Sequence, residues 1–197
     1  VVFRGRSAHA GICPQEGRNA LAAGAKAALG LLAIPEGFSE VCRVNVGTFR
    51  AGTGRNVIPD RARILGTMRY FKREIGQIAL DMQRSVFDHT AAMYGCTVEY
   101  APRNRIYLEP VVNDPVCAAM ARKNLPEEWL ADCDPWYASE TFSVCMNRWP
   151  GALAFLGIKN EALGSGAEHH NERFDLDEAV LWRGAACYAG FALEALK

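Results

Sequence analysis

The sequence predicts an α+β sandwich in the order β-α-β-β-α-β, the ferredoxin-like arrangement, followed by an incomplete α/β unit. Three observations carry this. Segments of alternating apolar residues flank two helical stretches within residues 1–108. A Pro-punctuated passage, YLEPVVNDP, then ends the pattern. In residues 109–197 one continuous apolar run, ALAFLGI, stands among three helical stretches, and one buried strand cannot make a sheet alone. The missing strands are expected before Val1 or in another chain.

Taken in order, residues 1–8 read as a strand and CPQEG as a turn. The Ala/Leu-rich run from Asn19 to Ile34 favours helix, and PEG stops it. Its Ala22, Ala23, Ala27 and Gly30 would let another backbone come close, so this helix is expected at a two-fold interface; packing on its own sheet is the alternative. SEVCRVNVGTFRAG and RARILGTMRYF alternate as strands, the second with Ile64, Gly66, Met68 and Tyr70 on one parity. A helix from Glu74 to Tyr94 carries Ile78, Met82, Val86, Thr90 and Met93 at helical spacing, and CTVEYAP supplies the fourth strand. In the second unit, helices are expected from Asp114 to Asn124 and from Ser139, the latter with Phe142, Cys145, Met146 and Trp149 on one face. The last helix, from about Leu176, has Asp175 and Glu178 spaced as a capping box and Val180, Tyr188 and Ala192 as inward candidates.

Composition narrows the function classes. Half of the 197 residues are hydrophobic, and 22 basic residues balance 22 acidic ones. No overall field of one sign recruits nucleic acid or an anionic membrane, so a small molecule or another protein is the expected partner. Seven scattered cysteines without a Cys-x-x-Cys pair fit reduced thiols in a cytoplasmic protein. The longest apolar stretch, ALAAGAKAALGLLAI, is interrupted by Lys26 and reads as too short and too rich in Gly and Ala to span a bilayer. The chain opens without Met on VVFRGRSAH, which reads as the middle of a strand, so a segment of something longer is expected.

Histidine is scarce, with His9, His89, His169 and His170 the only four. His89 lies within an amphipathic helix and reads as structural. His9, in RSAHAG, ends a strand at a domain edge, where an exposed loop histidine is the simpler reading. His169 and His170 sit in EHHNERFDLDE ahead of a helix, whose positive end keeps an imidazole neutral and able to bind metal. A metal site needs three or four ligands, however, and Asp175, Asp177 and Glu178 serve equally as caps. Gly52 and Gly54 in AGTGRN read as turn glycines, since neither the strand-to-helix setting nor the Lys-Ser/Thr of a phosphate loop is present. On that reading Asn56 is a turn residue and Arg69 a strand arginine with its head in solvent. Ser7, Ser139 and Cys13 lack a base at a recognisable spacing.

The stretches GRSAHAGICPQEGRNAL, RVNVGTFRAGTGRNVIPDRARILGTMR, MYGCTVE, ASETFS and GAEHHNERFDLDEAVL together resemble the metal-dependent peptidase and amidohydrolase family. Aminoacylase, glutamate carboxypeptidase and the indole-acetyl-amino-acid hydrolases belong to it. The resemblance covers nearly the whole chain in order and is weakest from Arg103 to Tyr137. It implies a ferredoxin-like lid and dimerisation domain over residues 1–108, and the carboxyl-terminal part of a metallopeptidase-type catalytic domain over residues 109–197. It further implies two divalent metal ions, zinc or manganese, in the full-length enzyme, with none stably held by this piece. His170, four positions before Phe174, matches a metal ligand, with His169 as the runner-up. His9 matches a lid histidine that polarises the scissile carbonyl in the neighbouring protomer. Asn56 and Arg69 match the pair that holds the substrate carboxylate, a task suited to the two parallel bonds of a guanidinium.

Two departures matter. SETF stands where many relatives have Ser-Glu-Asp-Phe, so the second acid's role is lost. The family's Cys-Gly-His-Asp-Gly-His loop and Glu-Glu pair are absent and are expected upstream of Val1. The implied activity is hydrolysis of an N-acyl or aminobenzoyl amide of an amino acid such as glutamate, by a homodimer joined through the lids, with neither nucleic acid nor membrane as partner. A stand-alone ligand-binding or dimerisation module and a catalytically dead relative are the rival readings.

Overall fold

A computed structural model describes all 197 residues. The chain divides into two units: Val1–Pro110 with Tyr137–Ser139, and Val111–Trp136 with Glu140–Lys197. The first contains strands β1 (Val2–Arg4), β2 (Ala8–His9), β3 (Cys42–Ala51), β4 (Val57–Ile58), β5 (Arg61–Tyr70) and β6 (Thr97–Glu99), with helices α1 (Ala20–Ala33) and α2 (Arg73–Met93). Four strands form one antiparallel sheet in the order β3-β5-β1-β6, and β2 pairs with β4 in a separate two-stranded ribbon. The main sheet and its two helices thus follow one another as β-α-β-β-α-β.

Alternation decides which face each strand buries. Phe3, Ala62 and Ile64 point to the helices and are buried, while their neighbours Arg4, Arg61 and Arg63 are exposed on the open face. A bulge between Val46 and Thr48 keeps Phe49 on the helix side, against Gly24 of α1. Asn19 caps α1 by accepting from the Ala22 amide, 3.0 Å.

The small residues of α1 have an internal use. Ala23 and Ala27 are fully buried, a Cβ on Gly24 would meet Phe49 at 2.7 Å, and one on Gly30 would meet Val86 of α2 at 2.9 Å. Ala23, Ala27 and Gly30 thus serve packing on the chain's own sheet and second helix, the alternative use of the stripe, while Ala22 stays half-buried. By length and composition Ala20–Gly37 would suffice to cross a membrane, contrary to the sequence expectation. Its buried face, including Ala20, Leu31 and Ile34, packs into this core. In α2 the buried residues include Ala79, Leu80, Phe87 and Ala91; of the residues noted at helical spacing Thr90 is buried as well, whereas Ile78 and Met93 are 50% and 66% exposed. The buried face is centred on Ala79, Phe87 and Ala91, with Val86 packed at its edge.

The second unit holds α3 (Pro115–Lys123), α4 (Ser143–Met146) and α5 (Leu181–Ala195) and no strand. Asp114 caps α3, its carboxylate accepting from the Cys117 amide at 2.9 Å. The expected helix from Ser139 shrinks to the four-residue α4, because the Glu140 carboxylate takes the Phe142 amide at 2.9 Å and makes a turn instead. ALAFLGI forms no strand here, since no neighbouring strand pairs with it, and Phe155 is 56% exposed. The last helix starts later than expected. Asp177, rather than Asp175, caps a single 3-10 turn at Glu178–Val180 before α5, and Tyr188 points outward.

Candidate active-site elements

The β2–β4 ribbon sits between the loop after β3 and the turn before α1. Its register pairs His9 with Val57 and Ala8 with Ile58. The Ala10 amide donates to the Asn56 carbonyl at 2.9 Å, so the backbones of His9 and Asn56 lie side by side. Both side chains are exposed.

The His9 ring has a defined orientation. Its Nδ1 accepts from the backbone amides of Gly11 and Ile12, at 3.2 and 3.1 Å. A neutral imidazole whose Nδ1 accepts carries its proton on Nε2. The exposed edge of His9 is therefore an N–H donor, the form that can stabilise a carbonyl oxygen as negative charge builds on it.

Arg69 lies elsewhere. It is half-buried near the carboxyl end of β5, opposite Arg43 of β3, and its Nη1 donates to the Met68 carbonyl at 2.9 Å. Arg61 begins β5, right after the loop that carries Asn56, and Arg69 is eight residues farther, roughly 26 Å along an extended strand. Within one chain the structure brings His9 and Asn56 together and holds Arg69 apart.

In the second unit, His170 is the only non-glycine residue with positive φ, at 66°. Imidazole side chains tolerate this left-handed region better than most, and such conformations collect at functional sites. The turn is closed by Asn171, whose amide donates to the Glu168 carbonyl at 3.1 Å. His169 stands edge-on between Trp136 and Phe174, with ring centroids 5.3 and 5.2 Å away, and both His169 and His170 are exposed. The two adjacent histidines differ in their neighbours: His169 has aromatic rings on two sides, and His170 carries the left-handed backbone. Seven residues separate His170 from the 3-10 turn ahead of α5, so it does not stand directly before the helix. No three His, Cys, Asp or Glu side chains converge to hold a metal ion, so the residues of this chain do not by themselves fit one; His170 is a single donor.

Sequence reasoning passed over Ser143. It is fully buried and its Oγ has no hydrogen-bond partner, which nothing in the local sequence signals.

Residues 1–94 match the family model described as the peptidase dimerisation domain of M20 peptidases. The chain carries an M20 peptidase dimerisation domain. It is 35% identical over 190 residues to the indole-3-acetyl-aspartic acid hydrolase of Enterobacter agglomerans, a match covering 92% of this chain and 42% of that protein. It is 32% identical over 189 residues to one chain of the p-aminobenzoyl-glutamate hydrolase of Escherichia coli, covering 91% and 42%. The solved structure of a dinuclear metal-binding M20 peptidase from Bacillus subtilis superposes with a TM-score of 0.72 at 26% identity, over 99% of this chain and 48% of that one. The chain spans less than half the length of these relatives.

Proposed function

We propose that this chain is the lid and the carboxyl-terminal catalytic segment of an M20 amidohydrolase that cleaves an N-acyl or aminobenzoyl amide of an amino acid such as glutamate. In this reading residues 1–108 form the ferredoxin-like lid, and residues 109–197 complete a catalytic domain whose other parts lie elsewhere in the parent. The parent binds two divalent ions, zinc or manganese, with His170 as one ligand among others outside this chain. Seven free cysteines support a cytosolic home.

The observation that carries the proposal is the separation of Arg69 from His9 and Asn56. If all three serve one substrate, they come from two protomers. The ten-residue β3 is an open sheet edge, and a two-fold axis beside it would pair β3 with its copy in antiparallel fashion. The loop end of one protomer, with His9 and Asn56, would then stand beside the Arg69 end of its partner. Arg69 grips the free carboxylate, Asn56 donates to it from across the interface, and His9 Nε2–H faces the carbonyl oxygen under attack.

The test uses the full-length parent, loaded with zinc or manganese, and a panel of N-acyl and aminobenzoyl amino acids. Arg69→Ala should raise KM more than it lowers kcat, because carboxylate binding is shared by ground and transition states. His9→Ala should lower kcat by about 10²–10³, the usual loss for a donor aimed at developing charge. A parent inert toward the whole panel would leave the module or dead-relative reading in place.

A further inference from the structure

The net charge of zero conceals a segregation. The first unit has fifteen Lys and Arg against nine Asp and Glu, and the second has seven against thirteen. Much of the excess lies on the open face of the main sheet. There the strand registers set Arg4 opposite Arg61, Arg50 opposite Arg63, and Arg43 opposite Arg69. Directly opposed like charges destabilise a sheet, and three such pairs share this face. Glu99 is the acid that answers them, taking Arg4 in two parallel bonds of 2.9 and 3.0 Å. Arg43 instead stacks on the Tyr137 ring, 3.4 Å from its centroid. Arg50, Arg61 and Arg63 are exposed and make no ion pair.

We infer that this face is a binding surface for a polycarboxylate, namely the acidic tail of a substrate whose first carboxylate is held by Arg69. The inference rests on the proposed amidohydrolase reading and extends it from a single amino acid to an acidic peptide. Repulsion among opposed guanidinium groups turns into attraction when carboxylates lie between them, because each fork bonds two oxygens at once. Arg63 is six residues from Arg69, about 20 Å along β5, a span covered by about six α-linked residues and by fewer when the links are γ. A γ-linked glutamate chain leaves the first α-carboxylate free for Arg69 while its later carboxylates reach Arg63 and Arg50.

The experiment compares the full-length parent with its Arg50→Gln/Arg63→Gln variant. Substrates are the aminobenzoyl amides of one, three and six γ-linked glutamates. Wild type should prefer the longer tails in kcat/KM by about tenfold, and a salt concentration near 1 M, where the Debye length is about 3 Å, should erase the preference. The variant should lose the preference and keep the single-glutamate value within about twofold. Its Tm should hold or rise, since opposed charges have been removed. A wild type indifferent to tail length, a variant equally impaired on every length, or a clear fall in Tm would overturn the inference; the last would mean that the arginines have structural acid partners. If wild type cleaves no amide at all, the functional reading fails separately. Fluorescence anisotropy with labelled hexaglutamate then decides the face: binding lost in the variant supports it, and equal or absent binding refutes it.

Discussion

Every buried apolar side chain of this protein lies between Phe3 and Cys96, whereas from Val111 onward the only buried residues are Ser143 and Ser165. The first unit is held by a sheet packed against two helices, with Phe3 edge-on to Phe87 at 6.1 Å in its middle. The second is held by the packing of α3 on α5 and by polar links. Glu194 joins Lys123 and Lys197, and Asn160 donates to Asp177 at 2.8 Å. Trp149, Tyr188 and Leu196 remain 63%, 82% and 86% exposed. Large apolar surface of this kind marks places where protein meets protein. The contrast separates a unit with its own core from one whose apolar residues have no interior in this chain.

The largest effect that would sharpen this contrast is a matched pair of truncations. Phe87→Ala should cost the first unit about 3–5 kcal/mol, enough to unfold a marginal domain. Tyr188→Ala in α5 should change stability by less than about 0.5 kcal/mol. Denaturant unfolding of this chain, followed by far-UV circular dichroism, compares them directly. Equal losses would break the distinction.

A smaller effect, of opposite sign, is expected at Ser143. Its buried hydroxyl lacks a partner, and an unmet hydroxyl costs about 1–3 kcal/mol. Ser143→Ala should therefore stabilise the second unit by up to about 1 kcal/mol in thermal unfolding. A loss would show that the hydroxyl has a partner in solution.

The smallest effect is electrostatic. Hydrogen bonds from Lys123 and Lys197 hold the Glu194 carboxyl at about 2, against an ordinary 4.5. A depressed folded-state value means the contribution is complete above the unfolded value and fades as pH falls from about 4.5 toward 2. The α3–α5 contact should loosen across that window, and Glu194→Gln should remove that part of the acid transition. Side-chain carboxyl NMR of Glu194 measures the midpoint, and an ordinary value would contradict the pairing.

Sequence patterning made much of the first unit legible because its strands are half-buried and alternate plainly. In β5 the run Ala62, Ile64 against Arg61, Arg63 needs only the period of two. In α2 the helical spacing of Ile78, Met82, Val86, Thr90 and Met93 picks one flank of the buried face. Val86 and Thr90 pack inward, while Ile78 and Met93 stay exposed because the face turns on Ala79, Phe87 and Ala91, with Phe87 against Phe3. ALAFLGI misled because a continuous apolar run reads as a strand only if other strands flank it, and none does here. At the candidate site, motif resemblance supplied His9, Asn56, Arg69 and His170, yet spacing along the chain could not reveal that His9 and Asn56 share a ribbon while Arg69 ends a different strand. Nor did the sequence indicate the left-handed backbone at His170, since that arises from the turn closed by Asn171.

The central claim is that one active site draws His9 and Asn56 from one protomer and Arg69 and His170 from the other. The most direct measurement is complementation between inactive full-length variants after verified exchange of protomers. His9→Ala mixed with His170→Ala should regain about a quarter of wild-type activity, since half of the random dimers are mixed and each has one intact site. His9→Ala mixed with an Asn56→Ala variant, assayed well below KM, should regain nothing beyond the sum of the two, because both lesions then fall on the same side. Recovery in the first mixture and none in the second is the predicted result; no recovery in the first, with exchange confirmed, would contradict a site shared between protomers.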